Sequence, residues 1–463
     1  MNHDDSNFLG HYPNTNAPVA HCRFMSFDGG IRSDGLLQRP DRYRFWKTAS
    51  VTRPLIPRGA GLSYAAASFY DNGLSIEHGS FNRILDFDSE QHIVEVESGI
   101  GLSALHDFLS LRGLYLPIQP GHGRITVGGC IAADVHGKNH ARDGSFINQV
   151  VGFKLFHPEQ GFIEVSPETE PALFRLTCGG YGLTGHILSV RLRARLIPSR
   201  MIEVNAISVE NVWTGIEHLA HYALDSDFAY TWHDFTLNSS RFGCGYLFLA
   251  RFVPESEKLD TLLTSGPPLP PKLSAEIRTN WRLPLLNRWT IRGLNFAYRS
   301  NQNTKGAIRR ISLYEALFPI HKTQFYFKLF GSRGFHEYQV IIPIDRMPEY
   351  LYGVRDFLKQ RTIAVTLASA KLFSGQSELL RFTGDGACLA LNFPRTSEAS
   401  NFLTFLDQLV ISLGGIPNII KDSRLPRSVV EACYPGLQHF RRELHSFDPK
   451  RLFRSELSER LGL

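Results

Sequence analysis

The stretch Val127–Phe146, VGGCIAADVHGKNHARDGSF, concentrates glycines and polar side chains in a short length of chain. A glycine pair and a run of small residues come first, then His-Gly-Lys-Asn-His, and then another glycine. Glycine has no Cβ and adopts backbone conformations that other residues avoid, so a second group can approach the chain closely. A core is better filled by large apolar side chains. We therefore expect a bound group to lie against this part of the backbone.

Three glycine-rich turns surround or overlap this stretch. They are PRGAGLSY at Pro57–Tyr64, PGHGRITVGG at Pro120–Gly129 and CGGYGLTG at Cys178–Gly185. Glycines allow successive backbone N–H groups to converge on an anion without obstruction from side chains. A single loop of this kind is often only a tight turn. Three of them in one part of the chain predict a backbone cradle for a diphosphate and a planar ring.

The sequence excludes two familiar nucleotide-binding loops. GYGLTG at Gly180–Gly185 fits G-x-G-x-x-G, but that fingerprint must follow a strand and open a helix. Here a helix-like segment at Ala172–Cys178 precedes it and an alternating strand at His186–Leu196 follows it. The order is reversed, so a Rossmann site is rejected. No G-x-x-x-x-G-K-[ST] loop occurs either, because Lys138 is followed by asparagine.

Two histidines in the quoted stretch could carry chemistry. His136 and His140 are four residues apart, the spacing of metal ligands on one helix face. The intervening glycine and the lack of a nearby carboxylate pair argue against this interpretation, and no metal site is predicted. A histidine among small residues can instead contact a cofactor ring, through a hydrogen bond or a covalent link. The alternative is a histidine whose hydrogen bonds stay within its own loop.

Two lysines remain ambiguous from the residues alone. Lys421 lies in IIKDSR after an apolar stretch, and this segment could be an exposed polar turn. Lys371 lies in SAKLF between apolar segments. A buried lysine needs an anionic partner or a lowered pKa. Either residue is therefore a candidate for a functional site if the fold buries it.

Apolar patterning in the first part of the chain predicts alternating strands and turns. The first forty residues are rich in Gly, Asp and Arg and are interpreted as an irregular arm. A strand is predicted at His92–Gly99, and a helix follows at Leu102–Gly113. VVGFKLF and GFIEVS, joined by HPEQ, predict a hairpin.

The middle of the chain has a different character. A proline-rich loop is predicted at Ser265–Ser274, and an aromatic strand at Thr323–Phe330. EYQVIIP and CLALNFP predict further strands, and helices are predicted at Met347–Arg361 and Ala399–Gly415. The chain as a whole therefore has an α+β pattern.

Composition narrows the class of protein. Hydrophobic residues make up 43% of the 463 residues and charged residues 20%, which excludes a disordered chain. The net charge of +6 is mild, and the densest basic run, Val190–Leu196, alternates Arg with apolar residues as a half-solvated strand does. No nucleic-acid partner is expected. Six scattered cysteines, no evident leader and no long apolar run predict a cytoplasmic protein without a transmembrane segment.

These motifs together resemble those of the decaprenylphosphoryl-β-D-ribose 2-oxidases. This family belongs to the flavoprotein superfamily of vanillyl-alcohol oxidase and p-cresol methylhydroxylase. Thr126–Phe146 resembles the flavin-binding segment, and RGAGLSY and GGYGLTG resemble two phosphate-binding loops. EYQVIIP, AKLF, KDSR and DPKRLFRSEL match further segments in the same order over nearly the whole chain.

The resemblance implies a two-domain α+β fold of the p-cresol methylhydroxylase (PCMH) type. Residues 1–198 would begin the FAD-binding domain and residues 416–463 would complete it. Residues 199–415 would form an inserted α+β substrate domain over the flavin. FAD is the implied cofactor, and non-covalent binding is favoured over a link to His136.

The resemblance also implies the residues of the site. Lys421 matches the active-site lysine, with Gln339, Lys371 and Tyr314 on the substrate side. The implied cofactor-binding residues come from the three loops, the quoted stretch and the active-site lysine: Arg58, Gly59, Ala60, Gly61, Leu62, Ser63, Tyr64, Pro120, Gly121, Thr126, Val127, Gly128, Gly129, Cys130, Ala133, His136, Gly137, Lys138, Asn139, Gly144, Ser145, Gly180, Gly182, Leu183, Gly185, Ile187 and Lys421.

Three positions depart from the family pattern. The active-site cysteine of mycobacterial members aligns with Ala390, and Cys388 is expected to point elsewhere. The tyrosine before KDSR is Asn418, and a pocket glutamine is Glu337. An ionised glutamate would repel a phosphate-bearing substrate. The flavin site is therefore predicted more firmly than a polyprenylphosphate substrate.

The expected activity is FAD-dependent oxidation of a sugar secondary alcohol to a ketone. In the family this is the first half of an epimerisation, and a separate NAD(P)H-dependent reductase completes it. The implied substrate is the 2-hydroxyl of a polyprenylphosphoryl pentose or a related sugar, which would allow peripheral association with a membrane and a role in cell-envelope polysaccharide synthesis. The alternatives are an aldonolactone or other carbohydrate oxidase that uses oxygen, and a flavin-binding partner protein without catalysis.

Overall fold

The computed structural model describes residues 18–48, 53–237, 240–253, 284–304, 308–320 and 324–463. The proline-rich loop predicted at Ser265–Ser274 lies outside the described residues. Within these ranges the strands are β1 (Val19–Met25), β2 (Arg32–Gln38), β3 (Leu55–Arg58), β4 (Leu74–Glu77), β5 (Ile84–Asp88), β6 (Ile93–Glu97), β7 (Leu114–Tyr115), β8 (Val150–His157), β9 (Gly161–Val165), β10 (His186–Arg193), β11 (Arg195–Leu196), β12 (Met201–Val209), β13 (Phe228–Asp234), β14 (Cys244–Phe252), β15 (Ile308–Ser312), β16 (Phe335–Ile342), β17 (Leu367–Phe373), β18 (Gly386–Pro394) and β19 (Ile416–Pro417).

Helices alternate with these strands, so the predicted α+β class is confirmed. None of the helices in the described part of the chain is long and apolar enough to cross a membrane. They are α1 (Phe45–Thr48), α2 (Leu102–Ser110), α3 (Val127–Ala132), α4 (His140–Asp143), α5 (Pro171–Thr177), α6 (Val212–Tyr222), α7 (Arg288–Thr304), α8 (Leu313–Leu317), α9 (Phe325–Lys328), α10 (Met347–Gln360), α11 (Ser397–Ser412), α12 (Arg427–Cys433), α13 (Leu437–Phe447) and α14 (Glu456–Leu461).

The first sheet has the order β1-β2-β4-β3. The prediction of an irregular arm over the first forty residues is wrong for β1 and β2, which pair antiparallel along their whole length. Backbone hydrogen bonds build this pair, and Phe24 and Leu37 anchor it in the core. The C-terminal part joins the same sheet, because Leu55 N donates to Leu452 O at 2.8 Å and Arg454 N donates to Leu55 O at 2.9 Å.

The second sheet is antiparallel and has the order β5-β6-β10-β8-β9. The predicted strand around His92–Gly99 and the hairpin through HPEQ are confirmed as β6 and as the pair β8–β9. The predicted helix that follows the first of these strands is confirmed as α2, and Gly113 has a φ of +71° just beyond its end. Apolar residues of this sheet form one core together with three helices before its last strand and three at the C-terminal end of the chain. These helices are α2, α3 and α5, and α12 to α14.

The third sheet has the order β15-β12-β14-β13-β17-β18-β16-β19. One face packs against α6, α10 and α11 in a separate apolar core. Successive side chains of a strand point to opposite faces, so the alternate residues of β16, β17 and β18 face away from this core. In β16, for example, Tyr338 and Val340 lie in the core, whereas Glu337 and Gln339 line a cavity.

The aromatic strand predicted at Thr323–Phe330 is wrong. The described part of this segment contains the short helix α9. Tyr326, Phe327 and Phe330 pack in a cluster with Phe335 instead of entering a sheet, and Phe327 contacts the Phe335 ring at 5.5 Å between centroids. Aromatic side chains favour strands only where a pleated surface is available to receive them. The packing of this segment therefore overrides its strand propensity.

The predicted division into residues 1–198, 199–415 and 416–463 stays a prediction. The third sheet draws its strands from β12 to β19, which end at Pro417. The chain then passes through the KDSR segment before α12 and returns to the first sheet. Lys421 therefore lies in the segment that connects the third sheet to α12.

Buried neutral histidines are expected to make the fold sensitive to acid. Burial lowers the pKa of His78, His106 and His233 to about 4. In the unfolded chain a histidine has a pKa of about 6.5, so the unfolded state binds more protons between these values. The free energy of unfolding therefore falls as the pH is lowered through this window.

The variant His106→Leu tests this expectation. The His106 ring contacts Tyr314 and Phe318, so leucine keeps an apolar side chain there. Removing one such histidine removes a slope of up to about 1.4 kcal/mol per pH unit. The loss of thermal midpoint between about pH 7 and about pH 5 should be smaller in His106→Leu than in the parent. An equal loss in both proteins would contradict a neutral His106.

Candidate functional site

A cavity of about 740 Å³ lies between the glycine-rich loops and the third sheet. Side chains from β13, β16, β17 and β18 form one wall, and Lys421 of the KDSR segment also reaches it. The structure thus brings together most of the predicted residues. Those that line the cavity are Arg58, Gly59, Ala60, Gly61, Leu62, Ser63, Tyr64, Pro120, Gly121, Thr126, Gly128, Gly129, Ala133, His136, Gly137, Lys138, Asn139, Gly182, Gly185, Ile187, Gln339, Lys371 and Lys421.

Other predicted residues do not line the cavity. Tyr314 is one of them: its ring packs against Phe318 at 5.2 Å between centroids and against the ring of His106. Ser145 contacts a wall residue instead of the cavity, since its hydroxyl donates to the carboxylate of Asp134, which lines the cavity. The remaining predicted residues lie behind the wall, where several fill the core: Val127, Cys130, Gly144, Gly180 and Leu183.

The glycines of the cradle are required by close packing behind the cavity wall. A Cβ added at Gly59 would lie 2.3 Å from Oγ1 of Thr126, which caps α3 and accepts a hydrogen bond from Gly129 N. A Cβ at Gly128 would lie 3.0 Å from Cβ of Ser98 and 3.2 Å from its carbonyl oxygen. Backbone of two loops therefore meets at van der Waals distance, and the cavity is lined there by main chain.

Arg58 supplies positive charge beside the first loop. Its Nη1 donates to Ser68 Oγ at 2.9 Å, and its Nε lies 3.9 Å from a carboxylate oxygen of Glu77. Burial lowers the pKa of Arg58, although the nearby Glu77 raises it. A half-buried guanidinium in a cavity wall favours an anionic occupant such as a diphosphate.

Lys138 is a second half-buried basic residue of the wall. Its Nζ donates to Ala316 O at 2.8 Å and lies 4.8 Å from the centre of the Tyr230 ring. Burial, followed by the charge of Lys371, lowers the pKa of Lys138 to about 7. An anion bound in the cavity would favour its charged form.

Lys421 forms an ion pair inside the cavity. Its Nζ lies 3.1 Å from Oε1 of Glu337 and 4.2 Å from the centre of the Tyr64 ring. Burial, followed by the charge of Glu337, raises the pKa of Tyr64, so its hydroxyl stays protonated. The arrangement places a cation, a carboxylate and a phenol around one point of the cavity.

Gln339 is held by the residue that departs from the family pattern. Asn418 Nδ2 donates to Gln339 Oε1 at 2.6 Å, and Asn418 N donates to Gln339 O at 2.8 Å. The two amides therefore fix one another beside the lysine. The Asn418 side chain performs this task without the ring of a tyrosine, which leaves more room in the cavity.

Cys388 lies in the cavity wall, so the expectation that it points elsewhere is wrong. It precedes Ala390 by two residues on β18, and both face the cavity because a strand repeats every two residues. Cys388 pairs with Lys371 across β17 and β18. Burial raises the pKa of the Cys388 thiol to about 12, and burial lowers the pKa of Lys371. The thiol is therefore protonated at neutral pH.

His136 is a neutral side chain in the wall. Its Nδ1 lies 3.1 Å from Gly137 O, so this nitrogen carries the proton, and the ring packs edge-on against Phe373 at 4.8 Å. Burial, followed by the charge of Lys371, lowers its pKa well below 6.5. The ring of His140 lies 6.3 Å away and stacks on Phe373. The part of the chain that the structure describes has no group of three or more His, Cys, Asp or Glu residues arranged to hold a metal ion.

The sequence analysis missed an aromatic part of the wall. Tyr230 and Trp232 of β13 line the cavity, and Tyr298 of α7 contacts Trp232 at 4.5 Å between ring centroids. Phe228, Tyr230 and Trp232 recur every second residue, a pattern that predicts a common strand face. That pattern could have identified an aromatic surface, but not that the surface faces a cavity.

Comparisons with known proteins agree with this geometry. A family model described as an FAD binding domain matches residues 43–166, which include the first two glycine-rich turns and the quoted stretch. The chain is 29% identical over 425 residues to decaprenylphosphoryl-beta-D-ribose oxidase of Mycolicibacterium smegmatis, which covers 89% of this chain and 90% of that protein.

Lactone-oxidising enzymes are also similar to this chain. L-gulonolactone oxidase of Bos taurus is 22% identical over 428 residues, covering 84% of this chain and 86% of the relative. An L-galactono-1,4-lactone dehydrogenase of Oryza sativa is 34% identical over 147 residues, covering 30% of this chain and 24% of the relative. The similarity to the plant enzyme is thus confined to one part of the chain.

Proposed function

Since this chain is an FAD-dependent oxidoreductase with a PCMH-type FAD-binding domain, we propose that it oxidises a secondary alcohol of a sugar to a ketone. FAD-dependent sugar oxidation is the activity that its similarity to the mycobacterial oxidase supports. The observation that carries the proposal is the Lys421–Glu337 ion pair within the cavity that the glycine cradle lines. It supplies polar groups for an alcohol next to a site for a flavin.

The cavity fits FAD in shape and charge. Main chain at Gly59 and Gly128 lines the cavity, and Arg58 and Lys138 favour an anion. We assign the three glycine-rich loops and Arg58 to the diphosphate and the ring. Non-covalent binding is proposed, and His136 is the residue that would carry a covalent link. FAD, when bound, accepts the hydride that the alcohol carbon loses.

Lys421 and side chains of the third sheet would bind and deprotonate the hydroxyl. Lys421 donates hydrogen bonds through its ammonium and would orient the alcohol oxygen. Glu337, 3.1 Å from that ammonium, would accept the hydroxyl proton as a general base. Gln339, fixed by Asn418, would hold a neighbouring group of the sugar. The buried aromatic wall at Trp232 would exclude water and pack against an apolar part of the substrate.

The finer identity of the substrate follows from the resemblance. We propose the 2-hydroxyl of a polyprenylphosphoryl pentose or a related sugar, with the ketone passed to an NAD(P)H-dependent reductase that completes an epimerisation. Peripheral association with a membrane would give access to such a lipid. Glu337 favours a substrate whose phosphate lies away from Lys421, because a carboxylate repels a second anion.

A lactone or other carbohydrate oxidase is the second candidate. The similarity to L-gulonolactone oxidase extends over most of the chain, which favours this candidate over a flavin-binding protein without catalysis. Such an enzyme would pass electrons from the reduced flavin to oxygen or another acceptor. The pair Lys421–Glu337 would act on its substrate hydroxyl in the same manner.

A visible absorption spectrum, repeated after acid precipitation, tests the cofactor. We expect flavin bands that move into the supernatant, whereas bands that stay with the precipitate would mean a covalent flavin. Anaerobic addition of sugar alcohols, aldonolactones and a polyprenylphosphoryl pentose then tests the activity. Bleaching by the pentose lipid alone would support the proposed substrate, and bleaching by lactones with rapid reoxidation by air would favour the second candidate. A flavin that none of them bleaches would contradict the proposed oxidation.

A further inference from the structure

Helix α7 has an exposed outer surface that carries two large aromatic side chains. We define the α7 surface as Leu285, Arg288, Trp289, Arg292 and Phe296. Trp289 is 74% exposed and Phe296 is 64% exposed, although large aromatic side chains in this protein are mostly buried. They are seven residues apart, so two helical turns place them on the same face with Arg292 between them.

The inner face of α7 is firmly attached to the protein. Ile291 is buried in a cluster with Phe330 and Phe335. Asn295 Nδ2 donates to Asp234 Oδ1 at 2.8 Å, and Tyr246 OH donates to Asn303 Oδ1 at 2.6 Å. The helix is therefore a fixed element with one packed face, and its exposed aromatic residues do not result from poor packing.

The charge of α7 is one-sided. Residues 284–304 contain three arginines and no Asp or Glu. Arg299 pairs with Asp234, whereas Arg288 and Arg292 form no ion pair with any other described residue. Exposed Trp and Phe with arginines on the same face are the composition of a helix that lies in a membrane interface. In such a helix the aromatic rings enter the headgroup region, and the guanidinium groups attract anionic lipids.

We propose that the α7 surface binds the headgroup region of an anionic lipid bilayer. The partner is a lipid surface, because both charged residues of the α7 surface, Arg288 and Arg292, are positive and a bilayer of anionic lipids complements them. Leu285 N donates to Leu329 O at 3.0 Å, which joins the start of α7 to the segment after α9. Phe325 of α9, in that neighbouring segment, is 62% exposed.

The surface has a direct connection with the cavity. Tyr298 lies on the inner face of α7 and lines the cavity, where it contacts Trp232. A helix with its side chains is about 10 Å across, so a bilayer on the outer face would lie about that distance from the aromatic wall. This relation gives a lipid-linked substrate a short path into the cavity. That consequence rests on the proposed function, whereas binding to the bilayer does not.

Sedimentation with phospholipid vesicles tests the proposal on the full-length, FAD-loaded protein. We expect binding to vesicles that contain phosphatidylglycerol, weak binding to pure phosphatidylcholine, and loss of binding at high ionic strength. The double variant Trp289→Ser, Phe296→Ser should lose binding to the anionic vesicles. The double variant Arg288→Gln, Arg292→Gln should bind them roughly 25-fold more weakly, since each arginine near an anionic surface contributes about a factor of five.

A matched control is available elsewhere on the surface. Leu224 is 57% exposed and Phe162 is 47% exposed, and neither belongs to α7 or α9. The double variant Leu224→Ser, Phe162→Ser should bind vesicles as the parent does. If the aromatic variant loses its flavin, the arginine variant decides the question, because its changes remove no buried side chain.

Several outcomes would overturn the proposal. One is equal binding to neutral and anionic vesicles, and another is unchanged binding in both α7 variants. Self-association of the parent that the aromatic variant abolishes would mean that a second copy covers the surface. Vesicle binding needs no substrate, so its failure would leave the proposed oxidation intact. Vesicle binding without any sugar oxidation would contradict the proposed function alone.

Discussion

Replacing Lys421 by methionine is expected to slow reduction of the flavin by the sugar substrate by about 10²- to 10⁴-fold. Methionine has a similar length but no ammonium, so the hydrogen bond that would orient the alcohol is lost. The cofactor should remain bound, because the glycine-rich loops are unchanged. Stopped-flow measurement of flavin bleaching at saturating substrate, without oxygen, gives the rate directly.

Lys154→Met is the matched control for this change. Lys154 pairs with Glu164 on the second sheet and its side chain is 42% exposed, away from the cavity. It should reduce its flavin at the parental rate. If Lys421→Met holds its full flavin content and the flavin is bleached at the parental rate, Lys421 takes no part in the reaction.

Glu337→Gln separates the two roles within the ion pair. If Glu337 accepts the hydroxyl proton, glutamine keeps its size and loses its basicity, and bleaching slows by a similar factor. If Glu337 only holds the lysine in place, glutamine can still accept a hydrogen bond from Lys421, and most of the rate survives. The comparison therefore assigns the general base.

Replacing Gly59 by alanine should weaken FAD binding roughly thirtyfold. The added Cβ would lie 2.3 Å from Thr126 Oγ1, so the threonine must move and release its hydrogen bond to Gly129 N. Overpacking of this kind costs about 2 kcal/mol, which corresponds to that change in affinity when the displaced loop is the binding site. Titration of the flavin-free protein with FAD, followed by quenching of flavin fluorescence, measures the change.

Gly293→Ala provides the control for Gly59→Ala. A Cβ at Gly293 meets no atom within 4 Å, and this residue lies in the middle of α7. Alanine there should leave FAD affinity unchanged and raise the thermal midpoint slightly, because it favours a helix. Unchanged FAD affinity in Gly59→Ala would contradict the assignment of the first glycine-rich turn to the cofactor.

Much of the flavin site could be predicted from local sequence. Glycine-rich loops carry their own signal, because a backbone that must approach another group closely excludes side chains at defined positions. The family resemblance, the FAD cofactor and the α+β class are confirmed on this basis. The helices α2, α10 and α11 follow from apolar periodicity in the same way.

Some errors came from local signals that were read incompletely. Cys388 shares a strand face with Ala390, and the two-residue period of a strand already implies this. The strand β1 has few buried side chains, although Phe24 marks its inner face. No local pattern indicates the short helix α9, because its aromatic residues by themselves favour a strand.

By itself the sequence determined where backbone must approach a ligand and which segments are amphipathic, and its resemblance to a known family indicated FAD as the cofactor. Only the tertiary structure decided that Lys421 meets Glu337, that Asn418 holds Gln339, and that Tyr314 lies outside the cavity. The contacts Lys421–Glu337 and Asn418–Gln339 each join segments that are far apart in the chain. A local pattern specifies which face of an element is polar, but the packing of the sheets specifies what that face meets.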